Sequence, residues 1–209
     1  MTSARNGADP VGDDRDIPAS VKAARLPHPH VRAVAFVGSR AAGTATPLSD
    51  WDFNVEIDHF PVVAADLPAL VSGLEPLARQ WDRLSPTRCY MLMLTGPAKV
   101  DLIFSDVPHR PLPPWVVTGQ TLHEIDDHFW DWILWLASKS LSGKDRVVAE
   151  ELEKMSAHLL RPMGVEEVPM SIGGATTAYR NARDRAESGR GVVVSRRLER
   201  EVLPVLPVG

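Results

Sequence analysis

Apolar positions follow two regimes along the chain. Up to about residue 107 they fall in short runs and alternations; beyond about residue 119 they recur every three or four residues. The first regime predicts strands and the second helices. "VRAVAFV" (31–37) predicts a buried strand. "WDFNVEI" alternates, with Trp51, Phe53, Val55 and Ile57 on one face and Asp52, Asn54 and Glu56 on the other. Such a strand has one face in a core and one toward water or a ligand. "RCYMLML" and "AKVDLIF" predict two further strands, and the "TGPA" between them predicts a hairpin turn. Two helices are expected in this half. One is "IPASVKAARL", from near Pro18 to before Pro27. The other is "VVAADLPALVSGLEPLARQW" (62–81), with Pro68, Gly73 and Pro76 as potential breaks.

The pattern changes at "PHRPLPPW", where four prolines (Pro108, Pro111, Pro113 and Pro114) interrupt any regular element. Beyond it, "TLHEIDDHFWDWILWLASKSLSG" sets Ile125, Phe129, Ile133 and Leu136 at helical spacing, with Gly143 as the stop. "KDRVVAEELEKMSAHLL" predicts a second helix ending near Pro162. "MSIGGATTAYRNARDRAESG" predicts a third and "VVVSRRLEREVLPVL" a short fourth. The expected fold class is α+β, a mixed sheet with helices followed by a helical bundle. The expected organisation is a disordered leader over 1–16, a mixed unit over 17–107, a Pro-rich linker over 108–118 and a helical unit over 119–209.

Composition narrows the function classes. The chain has 209 residues, 44% of them hydrophobic, and a formal net charge of −4. That charge argues against a dedicated nucleic-acid binder, which is usually basic. The single cysteine, Cys89, lies in an apolar run and is expected in the core. One thiol excludes an internal disulfide, and a reducing cytoplasm is the expected location. The N-terminal residues lack an apolar signal region. No apolar stretch reaches the ~20 residues needed to span a bilayer, so no membrane partner is expected.

The candidate chemistry lies in "GSRAAGTATPLSDWDFNVEID" (38–58). Asp50 and Asp52 stand two residues apart at the start of a strand, so their carboxylates point the same way. Two carboxylates that close repel unless a cation joins them or one takes a proton. Hard oxygen ligands on one rigid face suit Mg²⁺, which fills its remaining positions with waters and substrate phosphates. Asp101, in "KVDLIF", supplies a third carboxylate if its strand lies beside that of Asp52. Three carboxylates can hold two ions roughly 3.5–4 Å apart, the arrangement of in-line phosphoryl chemistry. Gly38 would let backbone approach a phosphate, with Ser39 and Arg40 as further phosphate contacts. N–H groups of a helix starting in "RAAGTA" would add to them.

Gly-Ser, then Asp-x-Asp, then a later strand with a third Asp resembles the nucleotidyltransferase superfamily that includes DNA polymerase beta. The form "GSRAAGT…SDWD" is most similar to its small bacterial branch, which holds aminoglycoside and lincosamide nucleotidyltransferases and minimal nucleotidyltransferases. The motif resemblance covers about residues 30–105; the helical remainder matches in layout alone. The resemblance implies a polymerase-beta-like sheet, two Mg²⁺ ions and a nucleoside triphosphate, with ATP the expected one. It further implies transfer of NMP to a hydroxyl of a small molecule, with release of pyrophosphate. An aminoglycoside or lincosamide acceptor, and hence antibiotic resistance, is the family-weighted expectation. Gly38 and Ser39 carry over as triphosphate contacts, and Asp50, Asp52 and Asp101 as metal ligands. Two alternatives stay open. One is a protein- or RNA-modifying enzyme of toxin–antitoxin type, with a partner protein; the other is a non-catalytic nucleotide-sensing domain.

Other charged positions carry two readings each. Lys99 should share a face with Asp101, as a phosphate neutraliser or a solvated hairpin lysine. Lys139 and Lys144 end the aromatic helix, where they could reach a triphosphate or only complement the helix dipole. Lys139 is taken as the nucleotide contact. Glu124, Asp126, Asp127 and Asp131 form an acidic cluster, either an acceptor pocket or, as the favoured reading, a solvated first turn. Trp130, Trp132 and Trp135 are too many for one face, so most are expected in the core. Seven arginines between 180 and 200 face three acids. The spacings Arg180–Asp184 and Arg183–Glu187 predict an ordinary charged helix face rather than an RNA surface.

Overall fold

A computed structural model describes residues 16–24 and 28–207. Apart from Asp16, the expected disordered leader lies outside the described residues. Asp16 accepts from the Ala19 N–H at 3.1 Å, at the start of the first helix, α1 (Ile17–Ala24). Then come β1 (Val31–Val37), a one-turn helix α2 (Gly38–Ala41), β2 (Trp51–Ile57) and α3 (Phe60–Leu70). β3 (Ala78–Trp81), β4 (Thr87–Leu94) and β5 (Ala98–Pro108) complete the sheet. Four helices follow: α4 (Thr121–Leu141), α5 (Asp145–Met155), α6 (Ile172–Arg190) and α7 (Arg197–Val202). The fold is α+β, a mixed sheet interleaved with helices and followed by a helical bundle.

The five strands lie in the order β1-β2-β5-β4-β3. β2 and β5 run parallel, and every other neighbouring pair is antiparallel. β4 and β5 form the expected hairpin, with Gly96 of its turn at φ +89°. One face of the sheet buries Phe53, Val55, Leu92, Val100, Leu102 and Phe104 against α1 and α3. Each such side chain contributes about 1.5–3 kcal/mol on burial. The opposite face turns toward the bundle, where Ala78 and Met93 join its apolar core.

Two expectations in this half need correction. β1 is not buried: it is an edge strand, and none of its residues is fully covered. The segment 62–81 is not one helix. α3 gives way to a single 3₁₀ turn (Ser72–Leu74), and Glu75 then takes a left-handed φ of +50° before Pro76. Proline cannot continue the helix, so 78–81 is free to pair with β4. Trp81 there meets Tyr90 edge-on at 4.9 Å.

α4 is the axis of the second half. Its buried surface extends beyond the Ile125, Phe129, Ile133 and Leu136 positions, because the sheet side, α5, α6 and α7 all pack around it. Leu122, Ile125, Phe129, Trp130, Ile133 and Leu134 are fully enclosed, as fits a helix whose middle, from Phe129 to Ala137, is almost continuously apolar. It stops at Gly143, at φ +68°. α5 continues through one π-helical turn (Ser156–Leu160) before a 3₁₀ turn at Pro162.

The expected i,i+4 ion pairs on α6 do not form the charged face. Arg183 turns inward instead, 2% exposed, and donates to Glu199 at 2.6 Å and to Asp126 at 3.4 Å. Arg180 pairs with Glu199 at 2.7 Å, and Arg196 pairs with both Asp184 and Glu187. Tyr179 and Trp130 also donate to Asp126. This network ties α4, α6 and α7 together. Asp126 is therefore a buried hub rather than part of a solvated turn. No helix among the described residues is long and apolar enough to cross a membrane.

Candidate active site

The parallel pairing of β2 and β5 sets Asp52 beside Asp101 in register. Asp50 stands one residue before β2, at the end of a loop, and is 6% exposed. Each of the three offers a carboxylate oxygen within 4.8 Å of the others. Asp50 Oδ1 is buried with no hydrogen-bond partner among the described residues. A buried acceptor left without a donor is costly, and a cation is the group that would satisfy it. An all-carboxylate donor set of this kind fits a hard divalent ion such as Mg²⁺.

Each carboxylate is held by the elements around it. Gly38 follows β1 at φ +76°, in the left-handed region that favours glycine. A Cβ there would collide with the Asp52 carboxylate. Sequence reasoning assigned Gly38 to a phosphate; the structure adds that it makes room for Asp52. The loop before Asp50 is pinned to α4 by three hydroxyls. Thr46 Oγ1 and Ser49 Oγ lie 3.2 and 3.3 Å from Ser138 Oγ, and the Thr46 N–H donates to Ser49 Oγ at 2.9 Å. Arg40 braces the same loop. Its Nε and Nη2 donate to the carbonyls of Ser49 and Pro47 at 2.7 and 3.0 Å, and the guanidinium covers Trp51 at 4.3 Å. The Ser39 carbonyl accepts from the Thr44 N–H at 2.9 Å. The helix expected to start in "RAAGTA" instead starts at Gly38 and lasts one turn.

Lys99 departs from the solvated reading. It is 4% exposed, its Nζ donates to both oxygens of Asp101, and it lies 3.7 Å from Asp131 Oδ1. Burial opposes its charge, but Asp101, Asp131 and Asp50 outweigh that and hold the ammonium well above the ordinary lysine range. Asp131 is 4% exposed and projects from α4. Burial raises it well above the usual carboxylate range, with Lys99 opposing. Burial likewise lifts Asp50 to about 6, with Lys99 opposing and Asp101 adding. Asp52 is raised by burial and then by Asp101. Lys139, near the end of α4, sits 4.6 Å from the Trp135 ring centre, and its charge acts on both Asp50 and Asp52.

A cavity of about 280 Å³ opens beside Asp101. Asp82 and Glu151 bring negative charge to it, Asp131 a buried carboxyl, Lys99 and Lys154 positive charge, and Trp132 and Trp135 form an aromatic wall. Glu151 is held by Trp132 Nε1 at 3.0 Å and Lys154 Nζ at 2.7 Å. Of the acidic cluster on α4, Asp131 alone lines this cavity. Glu124 lines a separate groove with Arg83 and Arg88, and Asp126 belongs to the buried network. Sequence reasoning missed the Lys99–Asp131 approach, Ser138 and Asp82. A signal existed for Asp131: it is an acid set between two tryptophans in "FWDWILW", an unusual neighbourhood for a solvated residue.

The sequence matches no protein-family model and no curated protein. In backbone shape the chain is similar to the crystal structure of an aminoglycoside 6-adenyltransferase from Bacillus subtilis. The likeness spans 87% of this chain and 93% of that one, at 10% sequence identity and a TM-score of 0.31. A likeness that faint carries nothing over to this chain, so its function is argued from the carboxylates themselves.

Proposed function

We propose that the chain is a divalent-metal-dependent nucleotidyltransferase moving NMP, with AMP from ATP the first choice, onto a hydroxyl of a small molecule. One observation carries this reading: the oxygens of Asp50, Asp52 and Asp101 converge within 4.8 Å beside the Gly38–Ser39 turn. Asp50, Asp52 and Asp101 would hold two Mg²⁺ ions. When bound, these would neutralise the triphosphate and lower the pKa of the attacking hydroxyl. The Gly38–Ser39 turn would receive the β- and γ-phosphates, and Lys139 would add positive charge at the far side. The acceptor hydroxyl gives up its proton to a nearby carboxylate, Asp101 being the first candidate, and its oxygen bonds to the α-phosphorus. The bond from that phosphorus to the bridging oxygen breaks, and pyrophosphate leaves.

The cavity beside Asp101 supports a hydroxylated, cationic acceptor. Asp82 and Glu151 suit amines, and the Trp132–Trp135 wall suits the apolar face of a sugar ring. An aminoglycoside fits that description, and a lincosamide is the second choice. The test is pyrophosphate release with Mg²⁺ and each of the four NTPs against both antibiotic classes. Acceptor-dependent release, lost in Asp50→Asn/Asp52→Asn, is the expected result. No release with any acceptor overturns the small-molecule assignment, and absence of Mg²⁺-dependent nucleotide binding overturns the enzyme.

A further inference from the structure

Lys99 stands between two carboxylates from different halves of the fold. Its ammonium is bonded to Asp101 on β5, while Asp131 Oδ1 on α4 waits 3.7 Å away. That Asp131 oxygen is buried and makes no hydrogen bond among the described residues. On the metal-dependent reading, on which this inference rests, the arrangement contains a conflict. Asp101 cannot serve a divalent ion well while an ammonium holds both its oxygens, since the repulsion between two cations on one carboxylate is strong in a buried site. Lys99 is 4% exposed and reaches solvent only through the cavity it lines, so little water is at hand to take over its charge.

We infer that Asp131 is a second seat for the Lys99 ammonium, and so a positioning residue for the metal centre. As Asp101 is given over to a metal ion, Nζ leaves it and closes the short gap to Asp131 Oδ1. The four-carbon stem of lysine permits that shift without backbone movement. The ammonium gives up its two hydrogen bonds to Asp101 for a charge-assisted one to Asp131, and the Asp131 oxygen unpartnered among the described residues gains its donor. α4 thereby contributes to metal binding without supplying a ligand.

The test is Mn²⁺ binding to the full chain, followed by electron paramagnetic resonance. The wild-type chain is expected to bind and Asp50→Asn/Asp52→Asn to fail. A wild-type chain that binds no Mn²⁺ overturns the metal-dependent reading and this inference with it. Where the wild type binds, Asp131→Asn is expected to weaken Mn²⁺ affinity roughly tenfold, the worth of one charge-assisted hydrogen bond. In a Lys99→Gln background the same substitution is expected to have no further effect. Wild-type affinity in Asp131→Asn, or a weakening that persists without Lys99, overturns the second seat while leaving the metal site standing. Lys99→Gln leaves buried carboxylates without their cation and can unfold the chain, so a crystal structure of the wild-type chain grown with Mn²⁺ gives an independent answer. Nζ within hydrogen-bond distance of Asp131 and withdrawn from Asp101 supports the inference. Nζ still on Asp101 beside a bound ion overturns it.

Discussion

Gly38 sits in the left-handed region with the Asp52 carboxylate against its Cα, so Gly38→Ala meets two penalties at once. The backbone strain alone is worth about 1–2 kcal/mol, and the new methyl displaces a proposed ligand. The expected outcome is a modest fall in melting temperature with near-complete loss of Mn²⁺ binding, read by thermal denaturation and metal titration on the same sample. Asp127 gives a pH signature. Burial and then Asp126 raise its pKa to about 7, so the folded chain holds that proton where the unfolded chain has lost it. Stability from this group is present at about pH 4 and is lost as pH rises toward 7. Asp127→Asn should therefore leave the melting temperature unchanged at pH 4 and raise it by a few degrees at pH 8. At this scale, the three aspartates were legible because spacing and strand period fix which way side chains point. The partnership of Lys99 with Asp131 was not, because it depends on how deeply two halves of the chain bury each other.

Among the elements, α4 and α6 carry the clearest energetic test. Arg183 holds Asp126 and Glu199 in the bundle interior. Removing one member of a buried charge network leaves the others uncompensated, at a cost of about 3–5 kcal/mol. Arg183→Met should lower the midpoint of urea unfolding by that equivalent, whereas exposed Arg185→Met should not move it measurably. The elements themselves were mostly visible in the apolar pattern, including the β4–β5 hairpin and the four helices after the prolines. The failures share a cause. β1 reads as apolar enough to be central, but an edge position leaves it half-covered. Residues 78–81 carry helical spacing, yet Glu75 and Pro76 end the preceding turn and leave β4 as the available partner.

For the whole molecule, metal binding and folding should be linked. The fold buries Asp50 with one oxygen unpartnered among the described residues, and the unfolded chain has no such site. A ligand held by the native state alone stabilises it by about 2.7 kcal/mol at a hundred times its dissociation constant. Saturating Mg²⁺ should thus raise the melting temperature of the wild type, and the rise should vanish in Asp50→Asn/Asp52→Asn. The same linkage gives the Thr46–Ser49–Ser138 contact a consequence for substrate order. One helix supplies Asp131, Trp132 and Trp135 to the cavity beside Asp101 and Ser138 to the loop that presents Asp50. Whatever settles into the cavity leans on the same rod that steadies the loop. If the cavity takes the proposed acceptor and the carboxylates the proposed metal, α4 would link the two sites, and thermodynamic reciprocity would then require that each change the other's affinity by the same factor.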